Sequence, residues 1–238
     1  MGEQVAVPDY NTVWANVYGD MQHAGPVHRH MKRIASGLLA PLDYASILDV
    51  GCGPGDNIPM LSRGRQLKRI TGTDISTWAI EQARAKFPDG DFHAFDIEQE
   101  KLDGQWDLVY SSLLLEHLPD DVAALRNLRA MTGKYLLITT IAGNFERYKA
   151  WDIRMGHVRN YQVGELEEKM RGAGFTVQEA VYWGFPFYTP FARTLQNRSS
   201  MGTGKFGLPA RMAAEAMYRL YYLNSRKRGD LLVMLATV

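Results

Sequence analysis

An α/β fold, a parallel sheet covered by helices on both faces, is what the pattern of this chain predicts, and three observations carry the prediction. Apolar strand-like segments alternate with helical ones from residue 46 to residue 140. The first of them, SILDV, runs into a glycine-rich turn, GCGPG. Asp49, Asp74 and Asp96 each stand at or just beyond the end of such a segment. Alternation of this kind belongs to strands joined by crossover helices, and open parallel sheets bind ligands beyond the carboxyl ends of their strands.

The elements follow in order. Val27, Met31, Ile34 and Leu38 recur at helical spacing, and Pro41 ends that helix. The alternation then runs SILDV and DNIPMLSR, KRITGTD and STWAIEQARAKF, DFHAFD, WDLVYSS and PDDVAALRNLRAM, and KYLLITT. Ser76 suits an N-cap with Pro88 just past the helix end, and Pro119 suits a first helical turn. VGELEEKMRGAG reads as a helix with acids in its first turn, before a strand near FTVQEAVYW. The stretch 184–229 interrupts the pattern, and LLVMLATV closes the chain as a last strand. The division expected is a helical cap over 1–44, a core over 45–183, an insertion over 184–229 and a final strand over 230–238.

With 238 residues, 46% of them hydrophobic, the chain can bury the core of one domain. A formal net charge of +1 argues against a protein that coats nucleic acid. The single cysteine cannot form an internal disulfide, and no basic-plus-apolar leader stands at the N-terminus, so the chain reads as cytoplasmic. Gly2 is not followed by a myristoylation motif, because Ala6 occupies the Ser or Thr position. Apolar runs are too short to span a bilayer, which limits any membrane contact to a peripheral one.

The glycine turn discriminates among ligands. Its G-C-G-P-G spacing departs from the dinucleotide pattern G-x-G-x-x-G, and no Lys-Ser or Lys-Thr follows as a phosphate loop needs. Taken together, DVGCGPG, GTDIS, FHAFDI and WDLVYSSLLLEHLPDD resemble, in order and spacing, the successive motifs of the class I S-adenosylmethionine-dependent methyltransferases. The resemblance spans roughly residues 45 to 183 and also accommodates the final strand. It implies a Rossmann-like, doubly wound sheet of seven strands with the last antiparallel. It implies, too, that Gly51, Cys52, Gly53 and Gly55 lie against the methionine part of the cofactor and that Asp49 helps hold its ammonium. By the same resemblance Asp74 binds the ribose hydroxyls and Asp96 reads the adenine amino group, with Ile75, Ile97 and Ser111 beside them. A cofactor with an ammonium, a sulfonium and one ribose, and no phosphate, suits carboxylates.

Cys52 near a helix start has the position of an activated thiol, but a small side chain between glycines explains it without chemistry. His28 and His30, two apart on a helix, do not share a face, so no metal site is expected. His117, in LLLEHLPD, follows the fourth strand; it is a candidate catalytic residue, or it packs beside the cofactor or caps the next helix. His157, in GHVRNY, lies where this fold commonly builds its acceptor pocket, and the segment resembles the H-x-R-x-Y of small-molecule members. His157 is the first candidate for a general base, with Arg159 placed to hold an anionic group and Tyr161 and Tyr18 to line the pocket. The opposing reading, that these side chains only fix a loop, stays open. Between Pro186 and Gly229 eight basic residues, Arg193, Arg198, Lys205, Arg211, Arg219, Arg226, Lys227 and Arg228, face one acid, Glu215. That excess beside FPFYTPF suggests an anionic acceptor or a membrane surface, and equally a solvated face.

The function expected is methyl transfer from S-adenosylmethionine to a small acceptor (a metabolite, sugar or lipid-linked intermediate), most readily at oxygen and otherwise at nitrogen or carbon. S-adenosylhomocysteine is the product. A nicotinamide-dependent oxidoreductase and a non-catalytic S-adenosylmethionine-binding protein are the alternatives.

Overall fold

The computed structural model describes residues 9–16, 21–198 and 205–238, so Tyr18 lies outside the described residues. Three helices, α1 (Tyr10–Asn16), α2 (Met21–Ala24) and α3 (Pro26–Leu39), precede β1 (Ser46–Val50). There follow α4 (Ile58–Leu61), β2 (Arg69–Asp74), α5 (Thr77–Lys86), β3 (Asp91–Ala94), β4 (Trp106–Ser112), α6 (Asp121–Met131) and β5 (Thr132–Ile141). After these come α7 (Lys149–Arg154), α8 (Glu165–Gly172) and β6 (Thr176–Trp183). The insertion contributes α9 (Arg193–Arg198) and α10 (Leu208–Leu220) before β7 (Leu231–Thr237). One seven-stranded sheet results, in the order β3-β2-β1-β4-β5-β7-β6. All neighbours pair parallel except β7, which is antiparallel to both β5 and β6. The Rossmann-like sheet with an antiparallel last strand is thus the fold observed.

Alternation of side chains along buried strands explains the two helical layers. Leu48, Val109 and Leu136 face one side and pack with Leu125 and Leu128 of α6 and with Leu166 and Met170 of α8. Their sequence neighbours Ile47, Leu108 and Leu137 face the other side and pack with Met31, Ile34 and Leu38 of α3. Each such buried aliphatic side chain contributes roughly 1.5–3 kcal/mol. At the start of α5, Ser76 Oγ accepts from the Ala79 N–H at 3.1 Å, as an N-cap does. Pro119 is displaced from its expected place: α6 begins at Asp121, because Asp120 Oδ1 caps it by accepting from the Ala123 N–H at 2.9 Å.

The insertion presents fewer free charges than its composition suggests. Arg193 is buried and bridges Asp152 and Asp230, each at 3.0 Å. Arg219 pairs with Glu215 and Arg226 with Glu179. Of the aromatic residues beside them, Tyr188 is buried whereas Phe191 is exposed. A charge count along the sequence cannot see such pairing, since three of these partners, Asp152, Glu179 and Asp230, lie outside 184–229. Among the described residues no helix is long and apolar enough to cross a membrane.

Candidate active site

A cavity of ≈ 720 Å³ opens where the carboxyl ends of β1, β2 and β4 meet, as open α/β sheets dictate. Its first half is built on the glycine turn. Gly51, Gly53 and Gly55 have φ of 75°, 52° and 85°, in the left-handed region that a Cβ disfavours. A Cβ on Gly53 would stand 2.4 Å from the Trp14 ring. Thr73 O accepts from the N–H groups of Gly51 and Cys52 at 2.7 and 2.9 Å, which fixes the turn against β2. Asp74 completes the anchoring: Oδ2 accepts from the Gly53 N–H and Oδ1 from the Ser76 N–H, both at 2.9 Å. Burial raises its carboxyl above the ordinary range, and these backbone donors oppose the rise.

Asp74, the half-exposed Ile75, Asp96 and Ile97 all line this half. Asp96 is held by the Glu98 N–H at 2.9 Å and the Gln99 amide at 3.1 Å. Helix α1 lies across the opening. Its Tyr10 and Trp14 line the cavity, and Asn11 Oδ1 accepts from Ser76 Oγ at 2.8 Å and the Trp78 N–H at 3.1 Å.

Asp49 stands apart from these acids. It is fully buried behind the turn, does not line the cavity, and has no hydrogen-bond partner on either carboxylate oxygen. Burial pushes its carboxyl up to about 7, while the Asn57 side chain, which approaches without completing a bond, and the Lys32 charge pull it down. A buried carboxylate without partners is costly, and an ammonium brought to the turn would supply the missing charge. In that respect the site fits an amino-acid cofactor. Below pH about 7 the Asp49 proton must leave before the carboxylate can pair. Affinity for S-adenosylmethionine is therefore expected to rise as pH is raised toward about 7 and to fall again above pH ~8 as the ligand's own ammonium loses its proton, with proton release on binding at about pH 6. Calorimetry in buffers of different ionisation enthalpy measures both, and a pH-independent affinity would remove Asp49 from the site.

Other expected cofactor contacts are redistributed. Gly51 and Cys52 line the cavity, whereas Gly53 and Gly55 shape the turn without lining it. The Cys52 thiol is buried and raised well above its ordinary pKa by burial and by Asp49 and Asp74, which removes it as a nucleophile. Ser111 is buried in β4 with its hydroxyl unpartnered, and Ser112 lines the cavity instead. Adjacent strand residues point to opposite faces, so only one of the two can reach it.

The second half of the cavity holds both candidate histidines. His117 and His157 line it with their rings edge to face, centroids 4.8 Å apart. His157 Nδ1 donates to Asp152 Oδ1 at 3.1 Å, which leaves Nε2 as the proton acceptor. Burial alone would raise the Asp152 carboxyl, but His157, the Arg193 guanidinium and the Asn160 amide hold it below the usual range. His117 Nδ1 donates to the Gly156 carbonyl at 3.1 Å, and burial pushes its imidazole down to about 3. Beside them Glu116 is buried, with Oε2 accepting from Thr140 Oγ1 at 2.8 Å and Oε1 unpartnered. Glu116, His117 and His157 bring three ligand-type atoms within 4.8 Å of one another, a grouping that the sequence pattern did not suggest.

Arg159 and Tyr161 are corrected by their contacts. Neither lines the cavity. Arg159 pairs with Asp121 at 2.7 Å and donates to Pro119 O at 2.7 Å. Tyr161 is fully buried, and its hydroxyl donates to Asp121 Oδ2 at 2.8 Å. Asp121, in the first turn of α6, collects Arg159, Tyr161 and Lys169, so the R-x-Y part of the motif fixes the loop that carries His157. Sequence reasoning missed Asp152 and Arg193. The five-residue spacing from Asp152 to His157 was a visible signal; nothing local marked Arg193.

Comparison with known proteins agrees with this architecture. Residues 22–180 match the family model described as a methyltransferase domain. The trans-aconitate 2-methyltransferase of Enterobacter sp. (strain 638) is 39% identical over 99 residues, 40% of this chain and 39% of that protein. The match thus spans well under half of that relative's length. An S-adenosylmethionine-dependent methyltransferase from Mesorhizobium loti superposes with a TM-score of 0.60 at 18% identity, covering 87% of this chain and 98% of that one. The [4+2]-cyclase SpnF superposes with a TM-score of 0.58 at 19% identity, covering 96% and 91%. At such identities the likeness is one of fold, which does not by itself choose the chemistry. With the family model matched over residues 22–180, well over half of this chain, and the acids and glycine turn in place at the strand ends, the chain belongs to the methyltransferase-domain family, of the class I S-adenosylmethionine-dependent type.

Proposed function

We propose that the chain transfers the methyl group of S-adenosylmethionine to an oxygen of a small-molecule acceptor, with His157 as general base. One observation carries this reading: a single cavity joins the Asp74 and Asp96 carboxylates at one end to the Asp152-held His157 at the other. The cofactor supplies an electrophilic methyl carbon: the acceptor oxygen bonds it as the carbon–sulfur bond breaks, the electron pair staying on sulfur, and S-adenosylhomocysteine leaves.

This chain's own residues do the rest. Each Asp74 oxygen keeps a lone pair beyond its backbone bond, which suits two ribose hydroxyls. Asp96 suits an amino donor, and Asp49 an ammonium. A dinucleotide would instead set its pyrophosphate among acids, which disfavours the nicotinamide alternative. His157 Nε2 takes the acceptor proton, and the ionised Asp152 stabilises the imidazolium that forms. Trans-aconitate, named for the relatives, is not carried over with so partial a match.

His157→Ala is expected to leave S-adenosylmethionine affinity unchanged and to lower turnover of a hydroxyl acceptor, followed as S-adenosylhomocysteine release, by ~10²-fold or more. Dialysis of the wild type against EDTA is expected to leave the rate unchanged. An unaltered rate in the variant removes the base, and a loss on chelation transfers the role to a metal held by Glu116, His117 and His157.

A further inference from the structure

The acceptor half of the cavity is mostly apolar, and its lid is α10. Ala210, Ala213, Ala214 and Met217 follow one another at helical spacing along the face of α10 that lines the cavity. Three alanines in this run keep the space open where larger side chains would fill it. Ala213 is exposed, so the cavity reaches the surface past α10, and Met31 of α3, which packs on the same side of the sheet as Tyr221, lines the same cavity. Tyr221, just after α10, also lines it; the residue is 1% exposed and its hydroxyl has no partner. A buried phenol without a partner is costly, and a ligand oxygen would satisfy it.

The cavity offers a polyanion few cationic partners. Among the described residues Lys205 is the one lysine or arginine that lines the cavity, against four acids, Asp56, Asp74, Asp96 and Glu98. Recognition of several carboxylates calls for guanidinium or ammonium partners. Arg159 and Arg193 are committed instead to Asp121, Asp152 and Asp230. At the reacting end stands His157, whose Nε2 is left to accept a proton, which suits a hydroxyl that has a proton to lose.

We infer that the acceptor is a mainly apolar molecule with a single ionisable hydroxyl, admitted past α10 with its hydroxyl toward His157, and that it is not a polycarboxylate. This rests on the methyltransferase reading above, and the test separates the two. S-adenosylmethionine and S-adenosylhomocysteine binding are measured first by calorimetry; failure of both overturns the methyltransferase reading itself. The product-loaded protein is then titrated with 4-hexylphenol, with phenol and with citrate, following tryptophan fluorescence, since Trp14 and Trp151 line the cavity.

Expected are saturable binding of 4-hexylphenol at least ~10-fold tighter than phenol, and no binding of citrate. Ala213→Phe, at an exposed position that tolerates the larger ring, should weaken 4-hexylphenol by ~10-fold or more and leave cofactor affinity unchanged. S-adenosylhomocysteine release from S-adenosylmethionine should follow the same order of acceptors. Citrate binding as tightly as 4-hexylphenol, no gain from the alkyl chain, or an Ala213→Phe variant with unchanged 4-hexylphenol affinity would each overturn the inference.

Discussion

Asp74→Ala is expected to weaken S-adenosylmethionine binding by roughly 10²- to 10⁴-fold, because two charge-assisted bonds, each of about 1.5–3 kcal/mol, are lost together. The substitution acts twice. It removes the carboxylate that faces the cavity, and it deprives the Gly53 and Ser76 N–H groups of their acceptor. The glycine turn then loses its tie to the end of β2, so the melting temperature without cofactor should fall as well. Calorimetry measures the first effect and thermal denaturation the second. A dissociation constant within a few-fold of wild type would remove Asp74 from the cofactor site.

Arg193→Met is expected to destabilise the fold by about 3–5 kcal/mol, the usual consequence of removing one partner of a buried ion pair. Arg193 Nη2 lies 3.0 Å from both oxygens of Asp152, and Nη1 lies 3.0 Å from Asp230. Methionine fills similar volume without the charge, leaving a fully buried carboxylate at Asp152 to be satisfied by Asn160 and His157 alone. In a protein of this size such a loss lowers the melting temperature by roughly 6–20 °C. It should also reach the chemistry, since the His157 tautomer depends on an ionised Asp152. Turnover is expected to fall with little change in cofactor affinity. Stability within about 1 kcal/mol of wild type would show that the pair does not hold the site together.

The two predictions fall on residues that differed in legibility. The place of Asp74 at a strand end was readable from the chain because the turn, the strand end and the acid lie within about two dozen residues. Their chemistry is contiguous: a glycine turn needs acceptors for its N–H groups, and the next strand end supplies one. Arg193 was not readable. It is separated from Asp152 by 41 residues and was counted with the insertion's surface charges until the fold buried it. Arg159 failed in the opposite sense. Its motif predicted a ligand contact, but Asp121, from the start of α6, satisfies the guanidinium first. Ser111 and Ser112 show the same limit on a smaller scale, since which of two neighbours reaches the cavity depends on the face each presents.

The sequence by itself determined the order of strands and helices, the left-handed glycine turn after β1 and the acids at the strand ends. These depend on local periodicity, backbone sterics and short-range capping, which any stretch of chain carries with it. Only the tertiary structure decided which charges are spent on one another and which remain to meet a ligand. Ion pairs such as Arg193 with Asp152, and Arg159 with Asp121, form between elements far apart in the chain, and burial fixes their partners. It likewise decided that the alanines of α10 border a cavity, since an apolar helix face has no meaning for function until it is known what it stands against.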